Sequence, residues 1–284
     1  MTEFIQTDLP LLASRQFATA HLHCGSCLPY HALWPYLRLT KWVGGIEADQ
    51  AQLVPALSAL LSHEPRRVLI AGSADSGVTA LVRHASGAMA RRHEINVVDH
   101  CETPLRACRD YAAEHGLSLR TLCRDLRDLD WADVADVVVG HSVLPWLPVG
   151  DRASALRRLH VALAPGGRMV INTRLSPSGT PAAPKQRPAG WASEMKSTLL
   201  TRLAQQGIAD PGDAEEFDRL VRNYVPIGFS HPAYADQAEL ERDFTAAGFA
   251  VAQWIHSGAG PAYLPDGSVK AQARHGLVAV TEAK

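Results

Sequence analysis

The sequence predicts an α/β fold: a seven-stranded, mostly parallel sheet with an antiparallel last strand, wrapped by helices. Three observations point there. Apolar strands alternate with helices from residue 66 to residue 173. The strands are largely apolar on both faces, as expected where helices cover both sides of a sheet. The last two strands, near Phe249–Ile255 and Gly276–Thr281, have no helix between them, so they pair antiparallel.

The elements follow in chain order. Residues 10–63 read as helices joined by a turn at Gly44-Gly45, with Leu53, Leu57, Leu60 and Leu61 at helical spacing. Val68–Ala71 is the first strand, Gly72–Gly77 a turn of small residues, and Val78–Arg91 a helix. Ile95–Val98 is a strand ending at Asp99, Pro104–His115 a helix, and Leu117–Leu122 a third strand. Val134–Val139 is the fourth, Ala153–Leu163 a helix, and Arg168–Asn172 the fifth. Four prolines make Ser176–Pro188 a loop. Helices follow over 191–206, 213–224 and Gln237–Ala247, which Gly248 stops. A turn-rich loop spans Gly258–Gly267. The expected organisation is a helical lid over 1–64 and a catalytic unit over 65–284, with 174–235 inserted as a helical cap.

Composition narrows the function. The chain has 284 residues, 46% hydrophobic and 20% charged, with a formal net charge of −1. That balance gives no reason to expect nucleic acid or an anionic membrane as partner. No apolar run approaches the roughly 20 residues that span a bilayer. Met1–Pro10 carries Glu3 and Asp8 and no basic cluster, unlike a signal peptide. Five cysteines, an odd number without scaffold spacing, fit a reduced, cytoplasmic compartment.

Small residues between the first strand and its helix (Gly72, Ser73, Ala74, Asp75, Gly77) let a ligand approach backbone and helix N-terminus. Asp99 ends the second strand, where a carboxylate can accept both hydroxyls of a ribose. Asp125 follows the third strand in Cys123-Arg124-Asp125-Leu126, where it can accept from an adenine amine. The run "LAPGGRMVI" turns at Pro165-Gly166-Gly167 from a helix into the fifth strand. Each alone has an ordinary structural reading. The ordered set resembles the class I S-adenosylmethionine (SAM)-dependent methyltransferases, a Rossmann-like family, over roughly 66–173 and 237–281. The resemblance implies SAM as cofactor, held by Gly72, Ser73, Ala74, Asp75, Gly77, Asp99, Asp125, Leu126 and His141. Ile70 departs from the pattern: the family usually has an acid there to hold the methionyl amine. Glycines common in the family are replaced by Ala74 and Ser76.

The family places its acceptor above the carboxyl ends of the strands. His141, in Gly140-His141-Ser142, is a candidate base. The cluster His21–Tyr36 supplies Tyr30 and His31 as further catalytic candidates and Trp34 and Tyr36 as substrate contacts, with the aromatic faces able to stabilise a cation. Asn172, Arg174 and Tyr224 are substrate candidates, and His231 and Tyr234 weaker ones. Cys24-x-x-Cys27 with His31 has partial metal-ligand spacing, a fourth ligand would have to come from His21, His23 or elsewhere, and no second Cys pair follows at zinc-ribbon distance, so no metal is expected. The N-terminal helices, with modest anchorage, are expected to be mobile over the site.

These features predict methyl transfer to a small molecule, in the manner of specialised metabolism, by a chain compatible with a homodimer. Two alternatives remain at this stage. One is transfer or cyclisation of the aminobutyrate arm of SAM, resembling nicotianamine and azetidine-carboxylate synthases and releasing methylthioadenosine. The other is a SAM-binding protein without catalysis.

Overall fold

The computed structural model describes residues 8–176, 189–209, 211–224 and 233–256, with strand backbone at 261–263, 269–271 and 276–283. His231, the prolines from Pro177 to Pro188 and most of the 258–267 loop lie outside the described residues.

The N-terminal segment forms α1 (Leu9–His23), α2 (Leu28–Leu39) and α3 (Gln50–Leu61). The alternating region gives β1 (Arg67–Ala71), α4 (Gly77–Ser86), β2 (Glu94–Asp99), α5 (Glu102–His115), β3 (Ser118–Cys123), β4 (Ala135–His141), α6 (Arg152–Ala162) and β5 (Leu163–Arg174). The remainder gives α7 (Trp191–Gln205), α8 (Ala214–Asn223), α9 (Gln237–Ala247) and β6 (Phe249–His256). A short β7 (Pro261–Tyr263) pairs with β8 (Val269–Ala271), and β9 (Gly276–Ala283) is the last strand. The helix expected to run to Arg91 stops at Ser86. Gly87, at φ +53°, leaves the α conformation, and Gly87–Arg92 continues as a 3₁₀ turn.

Strand order in the main sheet is β3-β2-β1-β4-β5-β9-β6. The first five are mutually parallel, and β9 pairs antiparallel with both β5 and β6. The order reverses direction between β1 and β4. Their carboxyl ends therefore diverge into a crevice, the place where open α/β sheets bind ligands.

Two cores flank the sheet. On one face α3, α4 and α5 bury Leu53, Leu57, Leu61, Leu81, Val82, Leu105 and Tyr111 against Val68, Ile70 and Val97. On the other, α6 and α9 bury Leu156, Leu159, Leu240 and Phe244 against Leu69, Val138 and Met169. A third core joins segments far apart in sequence: Ala20 and Leu33 of α1 and α2 meet Met195 and Leu199 of α7 and Phe217 and Leu220 of α8.

This packing distributes the helices of residues 1–64 between two cores. Helix α3 packs on α4 and shares the core of the sheet, whereas α1 and α2 join the inserted helices in one layer. It also corrects the modest anchorage expected of α1 and α2. Gln16 is buried, and its side-chain amide donates to the carbonyls of His31 (3.0 Å) and Ala74 (2.9 Å). One side chain thus ties both helices to the turn after β1.

Candidate active site

A cavity of about 430 Å³ opens at the β1/β4 crevice, within the range of small-molecule sites. Its floor is the turn after β1. Gly72 sits at φ +75°, and a Cβ there would lie 2.6 Å from Val143 Cγ2, so only glycine fits. Asp99 stands beside it, nearly buried. Its Oδ2 accepts from the Ser73 amide (2.9 Å) and its Oδ1 from the Cys101 amide (2.8 Å). Burial pushes the Asp99 carboxyl above the usual range, and the two amides partly oppose this. Asp125 and Leu126 line the far end. Arg127 holds the Asp125 carboxylate bidentately (2.9 and 2.8 Å) and keeps its pKa low.

At the other end of the turn the carboxylate of Asp75 is engaged. It accepts from the Gly77 amide (2.7 Å) and from the guanidinium of Arg38, which also meets Glu47. Burial alone would lower the pKa of Arg38, but the two carboxylates more than offset it and hold the guanidinium charged. Asp75 is therefore committed to Arg38 and the turn. Ile70 is fully buried in the sheet core.

The remaining wall is chemical and aromatic. His141 ends β4, and its Nε2 lies 2.9 Å from Asp49 Oδ2, just before α3. Asn172 of β5 donates its amide to the same oxygen (2.9 Å), while its carbonyl accepts from the Ser142 amide (2.8 Å). Burial opposes ionisation of Asp49, yet the contact with His141 prevails and holds its carboxyl low. Ser142 adopts φ +53°, a rare conformation for a residue with a side chain. An aromatic wall is made by Tyr30, with ring centroids 5.3 Å from Trp34 and 4.5 Å from Trp146. The indole N–H of Trp34 and the hydroxyl of Ser142 are buried without a hydrogen-bond partner among the described residues.

The structure thus brings together Gly72, Ser73, Ala74, Asp75, Gly77, Asp99, Asp125, Leu126, Tyr30, His31, Trp34, His141 and Arg174 around one cavity. Other expected residues lie elsewhere. Tyr36 points away and packs with Ala13 and Leu203. Tyr224 is buried behind Tyr30, its ring stacked at 6.1 Å. Tyr234 lies in the opposite core, bonded to Asp243 (2.9 Å) and capped by Arg152. Asn172 is buried behind His141 and acts through Asp49 and Ser142. His31 faces the cavity edge, but its Nδ1 points at the Cys24 sulfur (3.4 Å) and not at His141. Sequence reasoning missed Asp49, Arg38 and Trp146. Asp49 and Arg38 carried no motif, and Trp146 stood in plain view in the loop after β4.

The cavity suits the cofactor implied by the sequence: a glycine cradle, a buried acid at the ribose position and an acid at the adenine position. Residues 76–167 match the methyltransferase domain family. Carboxy-S-adenosyl-L-methionine synthase from Shewanella frigidimarina is 29% identical over 108 residues, covering 37% of this chain and 43% of that protein, less than half its length. Among solved structures, 1,6-didemethyltoxoflavin-N1-methyltransferase from Burkholderia thailandensis superposes with a TM-score of 0.53 at 18% identity, over 90% of each chain. A Bordetella parapertussis protein described as a possible exported protein gives 0.55 at 15% identity, over 99% and 97%. Matched domain, strand order and cavity are together consistent with a class I SAM-dependent methyltransferase-like family, with SAM as the cofactor.

Proposed function

We propose that this chain transfers the methyl group of SAM to a small molecule held between the aromatic wall and His141. The observation that carries this reading is one cavity with two chemically different ends. One end has the nucleoside-type acids, and the other has an imidazole positioned by a carboxylate. Bound SAM supplies an electrophilic methyl on a sulfonium. The protein's own residues align and deprotonate the acceptor. If Nε2–H of His141 donates to Asp49, Nδ1 carries the lone pair and serves as base. Tyr30, Trp34 and Trp146 present aromatic faces suited to a cation.

Layering supports a covered site. Helices α1 and α2 with α7 and α8 roof the cavity, and Arg174 and Asn223, from the ends of β5 and α8, reach its lining. A covered cavity of this size suits a small acceptor, as in the didemethyltoxoflavin enzyme, and not a macromolecule. A role in specialised metabolism is part of the same proposal. Incubation with SAM and a panel of small N-, O- and S-nucleophiles, followed by mass spectrometry, tests this. S-adenosylhomocysteine in step with a methylated acceptor supports it. Methylthioadenosine or a carboxylated SAM as the product would replace it.

A further inference from the structure

Four side chains converge at the edge of the cofactor cavity, two of them, Cys27 and His31, in its lining. Cys24 follows α1, Cys27 precedes α2, His31 lies one turn into α2, and Cys101 precedes α5. Their ligand atoms all lie within 4.8 Å of one another. Cys24 Sγ is 3.4 Å from His31 Nδ1 and 3.5 Å from Cys101 Sγ, and Cys27 Sγ is 3.7 Å from Cys101 Sγ.

We propose that Cys24, Cys27, His31 and Cys101 bind one zinc ion as a closed, tetrahedral structural site. Zinc–sulfur bonds of about 2.3 Å and a zinc–nitrogen bond of about 2.0–2.1 Å set the edges of such a tetrahedron. Sulfurs then lie about 3.8 Å apart, and sulfur and nitrogen about 3.5 Å apart. Three of the six separations are close to these edges, and the other three do not exceed 4.8 Å. The donor set also fits the metal: three thiolates and an imidazole select zinc over hard cations. All three cysteines are free thiols, so no disulfide competes.

The surroundings favour thiolates. Cys27 and Cys101 each sit at the N-terminus of a helix, where the backbone dipole stabilises negative charge. Thr103 Oγ1 lies 3.1 Å from Cys24 Sγ and can donate to it. The backbone carbonyl of His31 is held by Gln16, which fixes the start of α2. Four protein ligands leave no open position, so the ion is structural and does not touch the reacting atoms.

The site reverses the expectation of no metal. Cys24, Cys27 and His31 were visible as a local motif. The fourth ligand, Cys101, stands far along the chain, 77 positions from Cys24, and is adjacent to the others only in the fold. Its placement links roof and cofactor site. The Cys101 amide donates to Asp99 Oδ1, so an ion that fixes Cys101 also fixes the carboxylate at the ribose position.

The test is metal analysis of the full chain, purified under reducing conditions without chelator and equilibrated with zinc chloride. We expect about one zinc per chain after desalting. Cys24→Ser, Cys27→Ser and Cys101→Ser should each lose most of it, while Cys123→Ser, on the exposed cysteine of β3, should keep it. Chelation should lower the melting temperature of the wild type by at least about 6 °C. Exchange of cobalt(II) into the wild type should give the intense visible bands and sulfur-to-metal charge transfer of a tetrahedral thiolate site. That reading does not depend on whether the variants fold. A reduced protein that retains no zinc overturns the proposal. So does equal zinc in all four variants, or a cobalt spectrum without thiolate bands.

Discussion

The imidazole of His141 and the carboxylate of Asp49 meet at 2.9 Å, although they stand 92 positions apart in the chain. Asn172 bonds the same carboxylate oxygen, and the Asn172 carbonyl holds the Ser142 amide beside the histidine. Three elements of the core, β4, β5 and the start of α3, thus fix one ring orientation. A base needs a fixed tautomer, and the carboxylate supplies it.

Replacing His141 tests the base directly. His141→Ala should slow single-turnover formation of S-adenosylhomocysteine by about 10²–10⁴ while changing SAM affinity little. Asp49→Asn should cost less, about tenfold to a hundredfold, the worth of one charge-assisted hydrogen bond. Equal rates in wild type and His141→Ala would remove His141 from the chemistry.

Asp49 also predicts a pH dependence of stability. Its folded pKa is lowered, so its stabilising contribution is present above the unfolded value of about 3.9. It is lost as pH falls through the lower, folded value. Denaturant titrations between about pH 6 and about pH 3 should therefore show a smaller loss of stability in Asp49→Asn than in wild type. Parallel curves would contradict the lowered pKa.

Cofactor affinity should depend on Asp99. Each charge-assisted hydrogen bond to a ribose is worth about 1.5–3 kcal/mol. Asp99→Asn, which keeps the shape of the turn, should weaken SAM binding at least tenfold by calorimetry. Unchanged affinity would show that the acid serves only Ser73 and Cys101.

The Arg38–Asp75 pair should be structural. Both side chains are nearly buried. Arg38→Met leaves Asp75 uncompensated and should cost about 3–5 kcal/mol in urea unfolding, with part recovered in Arg38→Met/Asp75→Asn. Purely additive single and double variants would show that the two do not interact.

The roof should already be ordered without ligand. Gln16 and Arg38 tie α1 and α2 to the turn after β1, and Leu33 and Leu37 are fully buried. Amides of α2 should exchange about as slowly as those of α4 before SAM is added. Fast exchange in α2 that SAM suppresses would restore the mobile lid expected from sequence.

By itself the sequence determined the sheet, because strand identity rests on local apolar runs and on turn residues such as Gly72 and Gly248. It also marked Asp99, Asp125 and His141, since each sits at or just past the end of a strand and strand ends can be counted along the chain. The tertiary structure decided what those residues touch. Asp49 and Arg38 carry no local pattern, and only the packing of α2 and α3 brings them to His141 and Asp75. Trp34 and Tyr36 lie on one helix, and spacing alone could not sort them into cavity and core: Trp34 faces the cavity while Tyr36 faces Leu203. Cys101 joins Cys24, Cys27 and His31 because the β2–α5 turn lies under the roof. Local motifs are written in neighbouring residues. A site assembled from separate elements depends on long-range packing, which no single window of sequence contains.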